Sequence, residues 1–307
     1  MNTTASPAID AAGVDLAAYP APSLQHRIEG RALRSLLLTG LAWACALAAS
    51  VPLLSVLYML ITRGGARLNL EVFTELPPAG FETGGGFGNA LVGTFVMVGI
   101  AAAIAIPIGI LAATFLAELG PTSRLVSLAR FAAKTLTGLP SILAGVFAYA
   151  MVVLTTGTYS APAGGVALAV LMLPIVVLTA EEAMKMVPKI MKDAAYGMGC
   201  TNTQVICKVV LPTALPAVLT GVMLAVARAA GETAPLLFTA LFSNYWIVDG
   251  GHVAAMSPTA SLAVLIYNFS GMPFENQIEL ARAASLVLVL IVLVVNVASR
   301  IFGKPRF

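Results

Sequence analysis

The chain has 307 residues, of which 59% are hydrophobic and only 10% charged, with a net charge of +3 and a mean hydropathy of +0.94. Soluble domains carry about 25% charged residues, so the composition excludes a soluble globular domain and points to an integral membrane protein. The small positive balance implies no nucleic-acid partner. With His26 and His252 as the imidazoles and three cysteines, two of them in a segment placed in the reducing cytosol, we expect no metal site and no disulfide.

Residues 1–35 hold Pro7, Pro20, Pro22 and scattered charges without an apolar period, and read as a mobile cytosolic tail. Residues 36–307 read as one transmembrane domain. Six apolar segments suit helices crossing about 30 Å of hydrocarbon, at about 36–61, 89–116, 138–157, 164–180, 213–242 and 284–302. The first is too long for a signal-peptide core of roughly 7 to 15 residues, so it is expected to be retained. The stretch Thr259 to Phe269 is too brief to cross and is expected at the surface or dipping into the interface.

A cytosolic N-terminus places 13 of the 17 basic residues inside, leaves Arg63, Arg67 and Arg282 outside and puts Arg228 within a span. This obeys the positive-inside rule and makes both termini cytosolic. The long outer connection from about 243 to 283 carries Tyr245, Trp246, Tyr267 and Phe269. Those aromatics suit either a partner protein or ordinary interfacial anchoring.

Between the fourth and fifth segments, Pro188 suits the first turn of a helix and Gly199 a left-handed terminator. Thr201 and Gln204 have the spacing of a capping box, which would start a second short helix that Pro212 helps to end. A compact cytosolic hairpin over about 185–212 follows. In it the small Ala194 and Ala195 allow close approach of a partner, and Gly199 sets the bend.

On the fifth segment Arg228 and Glu232 lie one helical turn apart. Each charge costs roughly 2.5–3.5 kcal/mol near a bilayer centre, so a chain that keeps both uses them on one another or on a polar cargo. The helical period adds Gly221, Leu224, Ala225, Gly231 and Pro235 to their face, and Pro235 is expected to kink the helix by freeing the Gly231 carbonyl. Two accounts stand: an ion pair that fixes helix register, and a fork and carboxylate that meet a protonated oxyanion such as phosphate.

The hairpin matches a spaced pattern: Glu-Ala-Ala, three residues, Gly, nine residues, Ile, one residue, Leu-Pro. Its slots here are Asp193-Ala194-Ala195, Gly199, Val209 and Leu211-Pro212, with Asp for Glu and Val for Ile. In this the chain resembles the permease subunits of ABC importers, whose EAA loop docks on an ATP-binding subunit. The string Arg228 to Leu237, the segment Thr135 to Ser141 and the segment Gly88 to Thr94 look like those of phosphate-specific ABC permeases of the A type.

That resemblance implies an all-α integral membrane protein, a six-helix polytopic bundle of the type I ABC importer permease kind. It implies a C-type permease as heterodimer partner, two ATP-binding subunits, an extracytoplasmic phosphate-binding protein, and phosphate as cargo. Arg228, Glu232 and Thr233 would line the substrate pathway; Asp193, Ala194, Ala195, Gly199, Leu211 and Pro212 would couple to the ATPase. Thr137, Gly138, Pro140, Ser141 and Pro235 are candidate hinge or pathway positions, although Gly138 and Pro140 suit a plain helix start. No phosphate-binding loop of the Gly-x-x-x-x-Gly-Lys-Ser/Thr type occurs, so the chain is not expected to be an enzyme or to bind a cofactor, and ATP–Mg would belong to the partner. A permease for another oxyanion and a secondary anion transporter remain the alternatives.

The orientation has a direct check. Cysteines placed in the 243–283 connection should react with an impermeant thiol reagent from outside and those in 185–210 should not; the reverse pattern would invert the topology.

Overall fold

The computed structural model describes residues 30–120, 123–249 and 252–302; the tail expected over residues 1–35 lies almost wholly outside them. The chain divides into two compact units after Val56. In the first, helix α1 (Gly30–Met59) exposes Leu36, Trp43 and Leu47, the surface of a lipid-facing span.

In the second unit the architecture is helical. After a π-helical turn at Leu60–Gly64 and the short α2 (Glu71–Thr74) come α3 (Gly88–Thr114), α4 (Arg124–Thr137), α5 (Ser141–Ala148) and α6 (Leu154–Thr156). Then follow α7 (Ala161–Lys185), α8 (Lys189–Gly197), α9 (Asn202–Val205), α10 (Leu211–Ala230) and α11 (Ala234–Leu237). The chain ends in α12 (Leu262–Ser270) and α13 (Glu275–Phe302). Beside the helices stands one two-residue ladder, β1 (Val248–Asp249) antiparallel to β2 (His252–Val253). Among the described residues, five helices are long and apolar enough to cross a membrane, and the bent pair Arg124–Thr137 and Ser141–Thr156 can make a sixth span.

Lipid tails are as apolar as leucine, so helices in a bilayer associate through close packing rather than burial from water. Small residues supply that closeness where α3 meets α7. A Cβ on Gly109 would stand 2.7 Å from Val176, one on Gly164 2.6 Å from the Met97 sulfur, and one on Gly165 2.5 Å from Ile100. Gly221 meets Thr179 of α7 in the same way at 2.3 Å. The resulting core runs through Met97, Leu168, Met172, Val176, Val218 and Val222. A second cluster joins Phe87, Leu262, Leu265 and Leu280.

Several expectations need correction. Thr259 to Phe269 is core rather than surface: Leu262 and Leu265 are fully buried, and a chain segment flanked by polar anchors can enter the bundle. The Thr94 hydroxyl accepts from the Leu262 N–H at 2.9 Å and donates to the Ala90 carbonyl at 2.8 Å, while Asn89 donates to the Ser243 carbonyl at 2.8 Å. Gly93 lets this segment in, since a Cβ there would fall 2.0 Å from the Ala260 carbonyl oxygen. The last helix starts at Glu275 rather than about 284, because Asn276 and Gln277 find carbonyl partners outside the helix and Leu280 and Ala281 are buried in the second cluster. Ahead of the third segment lies the amphipathic α4, which uniform apolarity could not reveal.

The connection between residues 62 and 88 is tied to the start of α13. Arg67 donates to the Gly84 carbonyl at 3.1 Å and to Asn276 at 2.8 Å, Asn276 donates to the Glu82 carbonyl at 2.9 Å, and Gln277 to the Pro78 carbonyl at 3.0 Å.

Overpacking of this kind costs about 1–3 kcal/mol. Gly93→Ala should therefore lower the thermal stability of the detergent-solubilised protein, whereas Gly99→Ala, with open space around its Cβ, should leave it unchanged. Equal melting curves for the two variants would contradict the packing described.

Candidate functional site

Two regions carry the residues singled out above, and one long helix joins them. The first is the hairpin. Pro188 is the N-cap of α8 and Met198 its C-cap. Gly199 then takes φ +83°, its N–H reaching the Tyr196 carbonyl at 2.9 Å while the Cys200 N–H reaches that of Ala195 at 3.2 Å. These two bonds form a Schellman terminator, which requires the left-handed conformation that glycine adopts without a Cβ penalty. Thr201 and Gln204 make the reciprocal capping box that opens α9, and Tyr196 donates to Asn202 across the bend at 2.5 Å.

Two details of the hairpin differ from expectation. Pro212 does not end the second arm. The chain passes from α9 through a π-helical turn, Ile206–Val210, into α10 with Pro212 in its first turn, and the helix is continuous from Asn202 to Ala230. Proline fits inside this continuous helix because the π turn just before it rearranges the hydrogen-bond ladder. Ala195, only 1% exposed, packs into the main core and leaves no surface for a partner; Asp193, Ala194 and Gly199 are exposed. The outer face instead presents Met186, Ile190 and Met198, each more than two-thirds exposed.

Ion pairs fasten the hairpin to the bundle. Lys192 of α8 meets Glu118, in the π turn Phe115–Leu119 that follows α3, at 2.5 Å. At the end of α7, Glu181 is 2% exposed and accepts from Arg130 of α4 at 2.8 and 2.5 Å, and also from Lys185. Glu181 keeps one cation if either Arg130 or Lys185 is removed; only loss of both leaves its buried charge unpaired. Sequence reasoning missed Glu118, Arg130, Glu181 and Lys192 as a group. Glu118 and Glu181 stand as acids at the ends of apolar runs, a usable signal, but their partners lie 74 and 51 residues away.

The second region is the charged pair. α10 stops at Ala230, with Gly231 as its C-cap, and after Glu232 the chain restarts as α11 behind Thr233. Pro235 therefore starts a helix rather than kinking one, since its absent N–H falls in a first turn where none is needed. The Arg228 Nε lies 3.6 Å from Glu232 Oε1, with the two side chains 55% and 17% exposed. The pair shares its exposed face with Leu224 and Gly231, whereas Gly221 and Ala225 are buried and Pro235 packs inward. At 3.6 Å the two groups are in ion-pair range without a hydrogen bond between them, and the half-exposed Arg228 keeps room for a further partner.

The candidate hinge residues meet this region from the other side. Gly138 caps the end of α4 and Pro140 is the N-cap of α5, so Thr137 to Ser141 form a 105° corner. Beyond that corner, α5 reaches α11. A Cβ on Gly145 would stand 2.6 Å from the Pro235 Cα, so the two helix starts approach backbone to backbone.

Residues 105–304 match the family described as binding-protein-dependent transport system inner membrane component. The chain is 39% identical to the phosphate transport system permease protein PstA of Pasteurella multocida, over 87% of this chain and 90% of that one. It is equally identical to PstA of Haemophilus influenzae, over 87% and 89%, and 34% identical to the probable PstA of Methanocaldococcus jannaschii, over 84% and 89%. The MetNI methionine ABC transporter, solved in an inward-facing conformation, shares the fold with a TM-score of 0.53 at 21% identity, over 70% of this chain and 91% of that one. The chain belongs to the binding-protein-dependent transport system inner membrane component family, among the multi-pass permeases of the phosphate transport system type.

Proposed function

We propose that the chain is a permease subunit of an ATP-driven inorganic phosphate importer, supplying half of the translocation pathway. The observation that carries this reading is the Arg228–Glu232 pair, standing exposed at a helix break in a chain whose relatives are phosphate transport permeases. The Arg228 fork suits two phosphate oxygens, and Glu232 accepts from a protonated one that sulfate lacks. The Thr233 hydroxyl makes no cap to α11 and adds a further donor.

In this reading a C-type permease covers the face of Leu224, Arg228 and Gly231, and the two chains enclose the pathway between them. An extracytoplasmic binding protein delivers phosphate. Two ATP-binding subunits hold the ATP–Mg and receive the hairpin through Asp193, Ala194, Gly199 and the exposed Ile190 and Met198, while Leu211 and Pro212 root its second arm. Both termini lie in the cytosol. ATP binding brings the hairpins together and opens the pathway outward; hydrolysis resets it. The corner at Thr137 to Ser141 and the start of α11 at Pro235 are the places where the pathway wall can flex.

Arg228→Lys keeps the charge and loses the fork. Losing a charge-assisted contact of about 1.5–3 kcal/mol should cut phosphate uptake about tenfold or more with the complex fully assembled. Uptake and assembly should be measured separately in Arg228→Gln and in Arg228→Gln with Glu232→Gln; full uptake by the double variant would remove the pair from the mechanism.

Coupling has its own test. Proline cannot adopt φ +83° and lacks the N–H that bonds Tyr196, so Gly199→Pro should abolish uptake while ATP hydrolysis by the assembled complex persists. Undiminished uptake would overturn the coupling role of the hairpin.

A further inference from the structure

Helix α4 turns 105° from the segment that follows it. Its 14 residues rise about 21 Å, short of the roughly 30 Å of hydrocarbon, so it suits a position along the membrane surface rather than across it. One side, Val126 and Ala133, packs with Leu116 and Val177. Another exposes Leu125, Leu128 and Phe131 by 61%, 63% and 68%, far more apolar surface than a water-facing helix of this length would leave open. Arg124 and Lys134 are exposed near its two ends, and the helix has no acidic residue. Beside it a groove of about 280 Å³, open to the surface, lies between α3, α4 and α7, lined by apolar side chains that include Phe115, Ala132, Leu136, Leu173 and Pro174.

Apolar cavities of roughly 150 Å³ stay dry and take up hydrocarbon, and basic residues at a membrane surface attract anionic headgroups. We propose that α4 and the groove beside it form a binding site for an anionic phospholipid. An acyl chain enters between α3, α4 and α7, Lys134 holds the headgroup phosphate, and Arg124, about 15 Å along the helix, adds to the positive surface that attracts it. Charge favours this occupant: the nearby carboxylates Glu181 and Glu118 are already paired, with Arg130 and Lys185 and with Lys192, which leaves Arg124 and Lys134 of α4 without an acidic partner among the described residues. The site involves neither Arg228 nor the hairpin, so it stands whatever anion the protein carries.

The test uses the assembled complex in nanodiscs of equal phosphatidylglycerol and phosphatidylcholine, with retained lipid counted by native mass spectrometry. The wild type should retain phosphatidylglycerol preferentially. Arg124→Gln with Lys134→Gln should reduce that preference about fivefold per charge, the equivalent of about 1 kcal/mol for each basic residue, and Ala132→Trp should displace the lipid by filling the groove. A tryptophan reporter at Leu128 should be quenched more by brominated phosphatidylglycerol than by brominated phosphatidylcholine, and excess inorganic phosphate should release no lipid. Equal retention of the two lipids, an unchanged preference in the charge variant, or displacement by inorganic phosphate would overturn the proposal. So would loss of subunit assembly in the Leu128→Trp protein with lipid retention intact, which would make the face a protein interface.

Discussion

The closeness of α7 to α3 and α10 is the constraint on which the rest of the structure depends. Without water to drive the helices together, attraction comes from short-range contact, and Gly109, Gly164, Gly165 and Gly221 allow it where a methyl group would already collide. The same helix ends in Glu181, the one buried carboxylate among the described residues. Its two cations, from α4 and from the next turn of α7, keep that charge from standing alone. Burial separates its role from that of the other pair. Glu181 is 2% exposed, so its charge has to be met inside the protein, whereas Arg228 is 55% exposed and has room for a further partner.

The geometry also links the two functional regions. The second arm of the hairpin and the charged break lie on one helix from Asn202 to Ala230, 29 residues long, which spans about 43 Å. In the mechanism we propose, a partner that shifts the hairpin acts on the helix end that carries Arg228. The π turn at Ile206–Val210 and Pro216 inside α10 are the places where this rod can bend. At its far end, Gly145 of α5 approaches Pro235 backbone to backbone.

Much of this was legible in the residues. The spans announced themselves by unbroken apolarity, and the hairpin by its capping box and its glycine, because those signals act within a few residues. The limits of the spans were harder wherever a helix continued through polar residues, as at Glu275 to Arg282, or stopped inside an apolar run, as at Gly231. Pro212 does not end its helix because a π turn precedes it, and Pro235 does not kink one because a new helix begins there; neither circumstance shows in the proline itself. Helix α4 hid because its apolar residues are interleaved with arginine and lysine, and the burial of Thr259 to Phe269 depends on Asn89, Gly93 and Thr94 far back in the chain. Helical periodicity put Gly221 and Ala225 beside the charged pair, but the neighbouring α7 decides which side of α10 is covered.

The most direct test of the account is ATP-dependent uptake into proteoliposomes holding the complete transporter, with labelled phosphate compared against sulfate. The account predicts ATP-dependent accumulation of phosphate that requires the binding protein, with sulfate excluded. Equal uptake of sulfate, or phosphate uptake without ATP, would contradict it.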